Sequence, residues 1–207
     1  MDEQISNREK REIALQSLIE AIPYVGGSLS TLYFGSKQEK RFKRIENFYS
    51  EMKKEIESIQ KDIVDISQHN PEELSAILEE LHEKIETEHL EVKRKYYKQY
   101  FKSTLKKPVK NNYDERKIIL DILSDLSPVQ IELLTFIAQQ NNALSTNSIR
   151  KPGVDQSLTI GAINKLKTTG LISTELNSIS FTDIGGSIDE KLRISQFGKK
   201  FHDFCIK

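Results

Sequence analysis

The stretch FKRIENFYSEMKKEIESIQKDIVDI, residues 42–66, decides the fold that the sequence predicts. Its apolar residues recur at alternating steps of three and four positions: Phe42, Ile45, Tyr49, Met52, Ile56, Ile59, Ile63 and Ile66. Because this spacing keeps side chains on one face of an α-helix, it predicts a long helix with a narrow apolar seam. A second copy of the chain can cover whatever one partner helix leaves exposed. The sequence therefore predicts a homo-oligomer with these residues as its interaction seam.

A second long helix is predicted directly after the first. Asn70 can cap a helix, and Pro71 suits its first position while ending the helix before it. The next apolar stripe extends this helix over residues 71–105, with Glu88 where an apolar residue is due. The stripe consists of Leu74, Leu78, Leu81, Ile85, Val92 and Tyr96. Two long helices joined by a short connection form an antiparallel helical hairpin.

The charges are segregated along the chain, although its 31 Lys and Arg balance its 31 Asp and Glu. Residues 37–54 carry a net charge of +4, residues 62–91 carry −9, and residues 93–117 carry +8. Opposite charges on neighbouring helices attract each other. The segregation thus predicts helices that lie side by side and neutralise one another.

An aromatic and basic run, KRKYYKQYFKSTLKK, occupies residues 93–107. Such a run can follow a nucleic-acid backbone while its rings stack on bases. The candidate basic-aromatic surface consists of Lys95, Tyr97, Lys98, Phe101 and Lys102. The rings are spaced four apart on two adjacent faces, as in a helix that is covered on two sides. This spacing favours buried rings beside a solvated basic edge.

The elements change in style after Leu126. The pattern predicts a helix from Ser127-Pro128, a short helix or turn at residues 145–150, and a helix over residues 156–169. Short strands follow at residues 171–174, 178–182 and 191–195, with Gly185-Gly186 as a turn, before a final aromatic helix. This is the order of a winged helix-turn-helix with a short β-ribbon.

In a winged helix, the helix over residues 156–169 would enter the major groove of DNA. Its candidate nucleic-acid contacts are Gln156, Thr159, Asn164, Lys165 and Lys167, with Leu158, Ala162, Ile163 and Leu166 predicted to face inward. Residues 124–207 carry a net charge of only +1, which offers little attraction to phosphates. A role in protein interaction is therefore favoured over DNA binding.

Residues 21–36 carry no charge and include Pro23 and Gly26-Gly27. As a helix this run would measure roughly 24 Å, short of the hydrocarbon core of about 30 Å. A buried apolar plug is favoured, and membrane contact through residues 13–35 is the alternative. The charged first residues and the single cysteine, Cys205, indicate a cytoplasmic protein without a signal peptide.

The sequence contains no G-x-S-x-G, glycine-rich phosphate loop or H-E-x-x-H motif. Glu79-x-x-His82 and Glu86-x-x-His89 match the spacing of carboxylate-bridged metal sites. Both lie on one predicted helix and beside its stripe, however, which favours a surface pattern. We expect no enzymatic activity, no cofactor and no metal.

Three segments carry a family resemblance: LSPVQIELLTFIA at residues 126–138, KLKTTGLI at residues 165–172 and LRISQFGKKFHDFC at residues 192–205. Through them, residues 113–207 resemble the abortive-infection alpha (Abi-alpha) family of bacterial proteins. Ser195-Gln196-Phe197-Gly198 departs from the Thr-Pro-Leu-Gly-like version that is commoner in winged helices. The resemblance implies a role in defence against phage and names no catalytic residues.

The sequence as a whole predicts a mainly α protein in three parts. These are an N-terminal helix and apolar segment (1–36), a long antiparallel helical hairpin (37–110), and a linking helix with a winged-helix-like domain (111–207). The predicted function is that of a non-enzymatic interaction or assembly protein in phage defence. A winged-helix transcriptional regulator and a membrane-active effector using residues 13–35 are the alternatives.

Overall fold

A computed structural model describes residues 36–59, 61–182 and 185–207, which are mainly helical with a small three-stranded antiparallel sheet. The predicted N-terminal helix and apolar segment (1–36) lie outside the described residues up to residue 35. The chain divides into two compact units, of which the first ends at Asp121 and the second runs from Ile122 to Lys207.

The first unit contains α1 (Ser36–Ile59), α2 (Pro71–Thr87), α3 (Glu91–Lys106) and the beginning of α4 (Tyr113–Asp125). Helix α1 packs against both α2 and α3. The core between these helices consists of Ile45, Phe48, Tyr49, Met52, Ile56, Leu74, Ile77, Leu81, Ile85, Tyr97, Tyr100, Phe101 and Leu105.

The sequence predicted a boundary after residue 110. The boundary between the two units instead lies after Asp121, because α4 begins in the first unit. There the Tyr100 hydroxyl donates to the Arg116 carbonyl over 3.0 Å. Lys117 Nζ also lies 2.6 Å from Glu80 Oε1. These contacts attach the first turns of α4 to α3 and α2.

The predicted helix over residues 42–66 ends earlier, at Ile59. Beyond it, the Val64 N–H donates to the Leu105 carbonyl over 3.1 Å. The Asp65 carboxylate accepts bonds from the Ser67 N–H and hydroxyl, at 2.9 and 2.7 Å. Such side-chain bonds compete with helical ones. The chain therefore leaves the helix and forms a single 3-10 turn at Ile66–Gln68.

The predicted helix over residues 71–105 is also wrong as a single element, because it breaks at Glu88. Glu88 is extended, and its carboxylate accepts the Leu90 N–H over 2.8 Å and lies 3.2 Å from Lys93 Nζ. The break shifts the phase of the buried face. Val92 is therefore 41% exposed, whereas Lys93 and Tyr97 are buried.

The second unit begins with the end of α4. It continues with α5 (Pro128–Ala138), β1 (Leu144–Ser145), α6 (Gln156–Thr168), β2 (Ile172–Thr182), β3 (Gly185–Ile194) and α7 (Gln196–Cys205). A 3-10 turn, Thr146–Ser148, follows β1. The strands are antiparallel in the order β1-β3-β2, with Leu144 opposite Leu192 and Ile172 opposite Ile194. The core consists of Leu123, Leu126, Ile131, Leu133, Leu134, Ile137, Ile149, Ala162, Ile163, Leu166, Leu171, Ile172, Leu192, Phe201, Phe204 and Cys205.

The strand predictions are corrected in three respects. The two strands predicted at residues 171–174 and 178–182 form one strand, β2, which begins at Ile172 and has an irregularity in register between Leu176 and Ser178. Gly185-Gly186 begin β3 rather than forming a turn, because they pair with Phe181 and Thr182. Strand β1 was not predicted, since two residues are too short to show an alternating pattern.

Helix starts follow the predicted capping residues. The Asn70 side chain accepts the N–H groups of Glu72 and Glu73, and Ser127 forms a capping box with Gln130. Helix α6 ends before Gly170, which has a positive φ of 73°. These caps fix where α2, α5 and α6 begin or end.

Candidate functional site

The interaction seam is buried within one chain. Ile45, Tyr49, Met52 and Ile56 are buried, and Phe48, outside the predicted seam, is buried beside them. Ile59 and Ile63 are half-buried, and Ile63 lies outside the helix. The structure does not describe the side chains of Phe42 and Ile66. Since α2 and α3 cover the middle of the seam, it provides no surface for self-association there.

Tyr49 is the centre of an aromatic cluster that joins the three helices. Its ring meets those of His82 on α2 and Phe101 on α3 edge-to-face, with centroids 5.0 and 6.4 Å apart. Burial raises the pKa of the Tyr49 hydroxyl. Burial also lowers the pKa of His82 to about 4. Both groups are therefore neutral near pH 7 and serve packing.

The prediction that both histidines of the Glu-x-x-His pairs lie on the surface is wrong for His82. His82 is only 7% exposed, because α1 covers this side of α2, whereas His89 is exposed. Among the described residues, no group of three or more His, Cys, Asp or Glu side chains could hold a metal ion.

The basic-aromatic surface separates into a core and an edge. Tyr97 and Phe101 are buried, as the spacing of the rings favoured. They therefore cannot stack on bases. Lys98 and Lys102 form ion pairs with Glu51 and Glu55 of α1. Lys95 is exposed.

Opposite charges do neutralise one another between helices of the first unit. Arg41 and Lys117, which belong to the two positive segments, lie 3.6 and 2.6 Å from Glu86 and Glu80 of the negative segment. The charge segregation along the sequence therefore predicted side-by-side packing correctly.

The five candidate nucleic-acid contacts of α6 do not form one exposed set. Thr159 is fully buried, and its hydroxyl donates over 3.2 Å to the carbonyl of Asp155, which caps α6. Lys165 lies 3.6 Å from Asp125, and Lys167 pairs with Glu190. Gln156 donates to the Ile149 carbonyl over 3.4 Å, and Asn164 is exposed.

The exposed residues of α6 include large apolar side chains. Leu158, predicted to face inward, is 67% exposed, and Ile160 is 38% exposed. Nothing lies within 4 Å of where a Cβ on Gly161 would stand. We call Leu158 and Gly161, which lie three positions apart on one side of the helix, the α6 face; Ile160, two positions from Leu158, lies on another side. Sequence reasoning missed it because it assigned the apolar Leu158 to the core.

Among the described residues, no helix has both the length and the apolar character needed to cross a bilayer. Membrane contact through residues 13–35 concerns a segment outside the described residues, so it stays a prediction.

Comparison with known proteins places the chain in a family. No curated protein and no solved structure matches it significantly. The model of a family of unknown function, DUF6613, matches residues 34–158. The match begins just before α1 and ends within α6. Since it spans more than half of the 207 residues, the chain belongs to this family of unknown function.

Proposed function

We propose that the protein is a non-enzymatic interaction protein that docks another protein on the α6 face. The observation that carries this proposal is the 67% exposure of Leu158. Burying a leucine side chain against a partner stabilises a complex by about 1.5–3 kcal/mol. Gly161, three positions from Leu158 on the same side of the helix, leaves room for close approach of a partner backbone.

We further propose that the second unit is a winged helix-turn-helix. In support, α5, β1, a 3-10 turn, α6, β2 and β3 follow each other in the order of that fold. Helix α6 would then stand in the position of the recognition helix, and β2 with β3 would form the wing. The fold does not decide the ligand, which depends on the chemistry of the exposed side chains.

A DNA-binding regulator is the rival function. Phosphate contacts require cations that are available to the DNA. On α6, Lys165 and Lys167 are both engaged with carboxylates of the same unit, and Thr159 is buried. This arrangement favours a protein over DNA as the occupant of the α6 face.

Bacterial phage defence is the setting that we propose, because residues 113–207 resemble Abi-alpha proteins. A membrane-active effector that uses residues 13–35 is the remaining alternative. Liposome flotation of the full chain tests it, since protein that stays at the bottom of the gradient would contradict membrane contact.

The proposed function is tested by the efficiency of phage plating on bacteria that produce the chain. We expect protection by the wild-type chain, loss of protection by Leu158→Glu, and protection retained by Thr168→Glu. The second variant adds the same charge to α6 at another exposed residue. Because Leu158 is largely exposed, its substitution should change the stability of the fold by no more than about 0.5 kcal/mol.

Three results would contradict these proposals. Full protection by Leu158→Glu would show that the α6 face docks nothing that matters for protection. Loss of protection by Asn164→Ala, with Leu158→Glu still active, would favour DNA contacts instead. Absence of protection by the wild-type chain against a broad set of phages would reject the defence setting.

A further inference from the structure

A cleft of about 220 Å³ lies beside α1 and α3 in the first unit. Cations from both helices line it, namely Arg44, Arg94, Lys95 and Lys98. Its two carboxylates belong to Glu51 and Glu91. Four cations against two carboxylates leave an excess of two positive charges around a small volume.

Backbone carbonyls hold the two arginines in place. Arg44 donates from Nε and Nη2 to the Glu86 carbonyl, over 3.0 and 2.7 Å. Arg94 donates from Nη1 to the Glu88 carbonyl over 3.2 Å. A carbonyl orients a guanidinium without cancelling its formal charge, and each guanidinium keeps further N–H donors for another acceptor. The arginines are therefore ordered before any ligand arrives.

Most of this positive charge has no carboxylate partner among the described side chains. Lys98 pairs with Glu51. Among the side chains that the structure describes, no carboxylate oxygen lies within 4.0 Å of the charged nitrogens of Arg44, Arg94 or Lys95. Lys95 is also exposed. The cleft thus presents ordered guanidinium donors and a free ammonium to whatever enters it.

We infer that this cleft binds the dianionic phosphate group of a small phosphorylated molecule. A phosphate monoester carries a charge of about −1.5 to −2 near pH 7, which matches the excess of positive charge. The planar fork of arginine suits phosphate oxygens. Pockets for whole drug-sized ligands measure about 300–1,000 Å³, so the smaller cleft fits the phosphate group with the rest of the molecule outside.

Isothermal titration calorimetry of the full chain at pH 7.5 tests this site. The ligands are inorganic phosphate and adenosine monophosphate, and the proteins are wild type, Lys95→Gln and Lys61→Gln. Lys61 is an exposed lysine outside the cleft, so Lys61→Gln controls for the loss of one charge. Because Lys95 is exposed, its variant should fold, which circular dichroism verifies.

We expect saturable binding by the wild type, with the same Kd for Lys61→Gln and a Kd raised about threefold to tenfold for Lys95→Gln. Equal Kd values for the two ligands would identify the phosphate group as the whole determinant, and tighter binding of adenosine monophosphate would add contacts outside the cleft. No saturable binding, or one Kd for all three proteins, would overturn the inference. Binding of a single-stranded oligonucleotide that is tighter than binding of adenosine monophosphate and falls steeply with salt would also overturn the inference. It would indicate a surface that binds along a nucleic-acid backbone.

Discussion

At the scale of the residue, Thr159 and Leu158 show that helical spacing predicts burial in α6 better than side-chain polarity does. Thr159 fits the helical spacing of Ala162, Ile163 and Leu166 better than Leu158 does, because it lies three, four and seven positions before them. The structure buries Thr159 accordingly, and the bond from its hydroxyl to the Asp155 carbonyl satisfies the polar group. Spacing alone would have predicted both the core and the α6 face, whereas hydrophobicity misled the assignment.

A pair of glycines provides a residue-scale prediction. A Cβ on Gly198 would stand 1.9 Å from the Leu171 carbonyl oxygen, whereas a Cβ on Gly161 would meet nothing within 4 Å. We expect Gly198→Ala to lower the free energy of unfolding by about 3 kcal/mol or more, because backbone must move. Gly161→Ala should raise it by about 0.5–1 kcal/mol, since alanine favours the helix. Urea denaturation of both variants checks this, and similar effects of the same sign would contradict the packing of α7.

His82 provides a second prediction, which concerns pH. Burial lowers the pKa of His82 from 6.5 to about 4. Between these values the unfolded chain binds a proton on this imidazole and the folded chain does not. The free energy of unfolding should therefore fall as the pH drops from 6.5 toward 4, by on the order of 2–3 kcal/mol from this residue.

The measurement is urea denaturation of wild type, His82→Leu and the exposed-site control His89→Gln at several pH values in this range. His82→Leu should flatten the pH dependence, and His89→Gln should leave it unchanged. Some pH dependence of the free energy of unfolding will remain in His82→Leu, because burial and the nearby Arg116 charge also lower the pKa of His69. Identical pH profiles for wild type and His82→Leu would show that the imidazole is not buried as described.

At the scale of the element, helix starts were predictable and helix lengths were not. Asn70 and Ser127 cap helices where the sequence indicated, since a cap depends on a few neighbouring residues. The end of α1 at Ile59 depends instead on the bond from Val64 to Leu105, which is distant in sequence. Glu88 was recognised as an interruption of the stripe, but its local bonds to Leu90 and Lys93 turn the interruption into a break.

The seam of α1 provides a prediction at this scale. Met52 is fully buried, so Met52→Ala should lower the free energy of unfolding by about 2–5 kcal/mol. The matched control Lys53→Ala, at an exposed neighbour, should change it by no more than about 0.5 kcal/mol.

Because α2 and α3 cover the seam within one chain, the wild-type Tm should not change over a tenfold range of protein concentration. A Tm that rises with concentration, and does so less in Met52→Ala, would show that the seam joins two copies.

At the scale of the whole molecule, the sequence predicted the class of fold better than its division. A mainly helical chain with a small antiparallel sheet near its C-terminal end was expected and is observed. The division lies within α4 rather than before it, because Arg116 and Lys117 contact α3 and α2. The cleft at Arg44 and Arg94 was not predictable, since the carbonyls that orient the two arginines belong to Glu86, near the end of α2, and to Glu88, just after it.

The central claim for the whole molecule is that the α6 face engages protein and not DNA. Fluorescence anisotropy of a labelled DNA duplex, titrated with the full chain at about 50 and about 200 mM salt, tests it most directly. We expect no saturable binding at either salt concentration, because the lysines of α6 are engaged with Asp125 and Glu190. Saturable binding at the lower salt that weakens about 1,000-fold or more at the higher salt would contradict the claim.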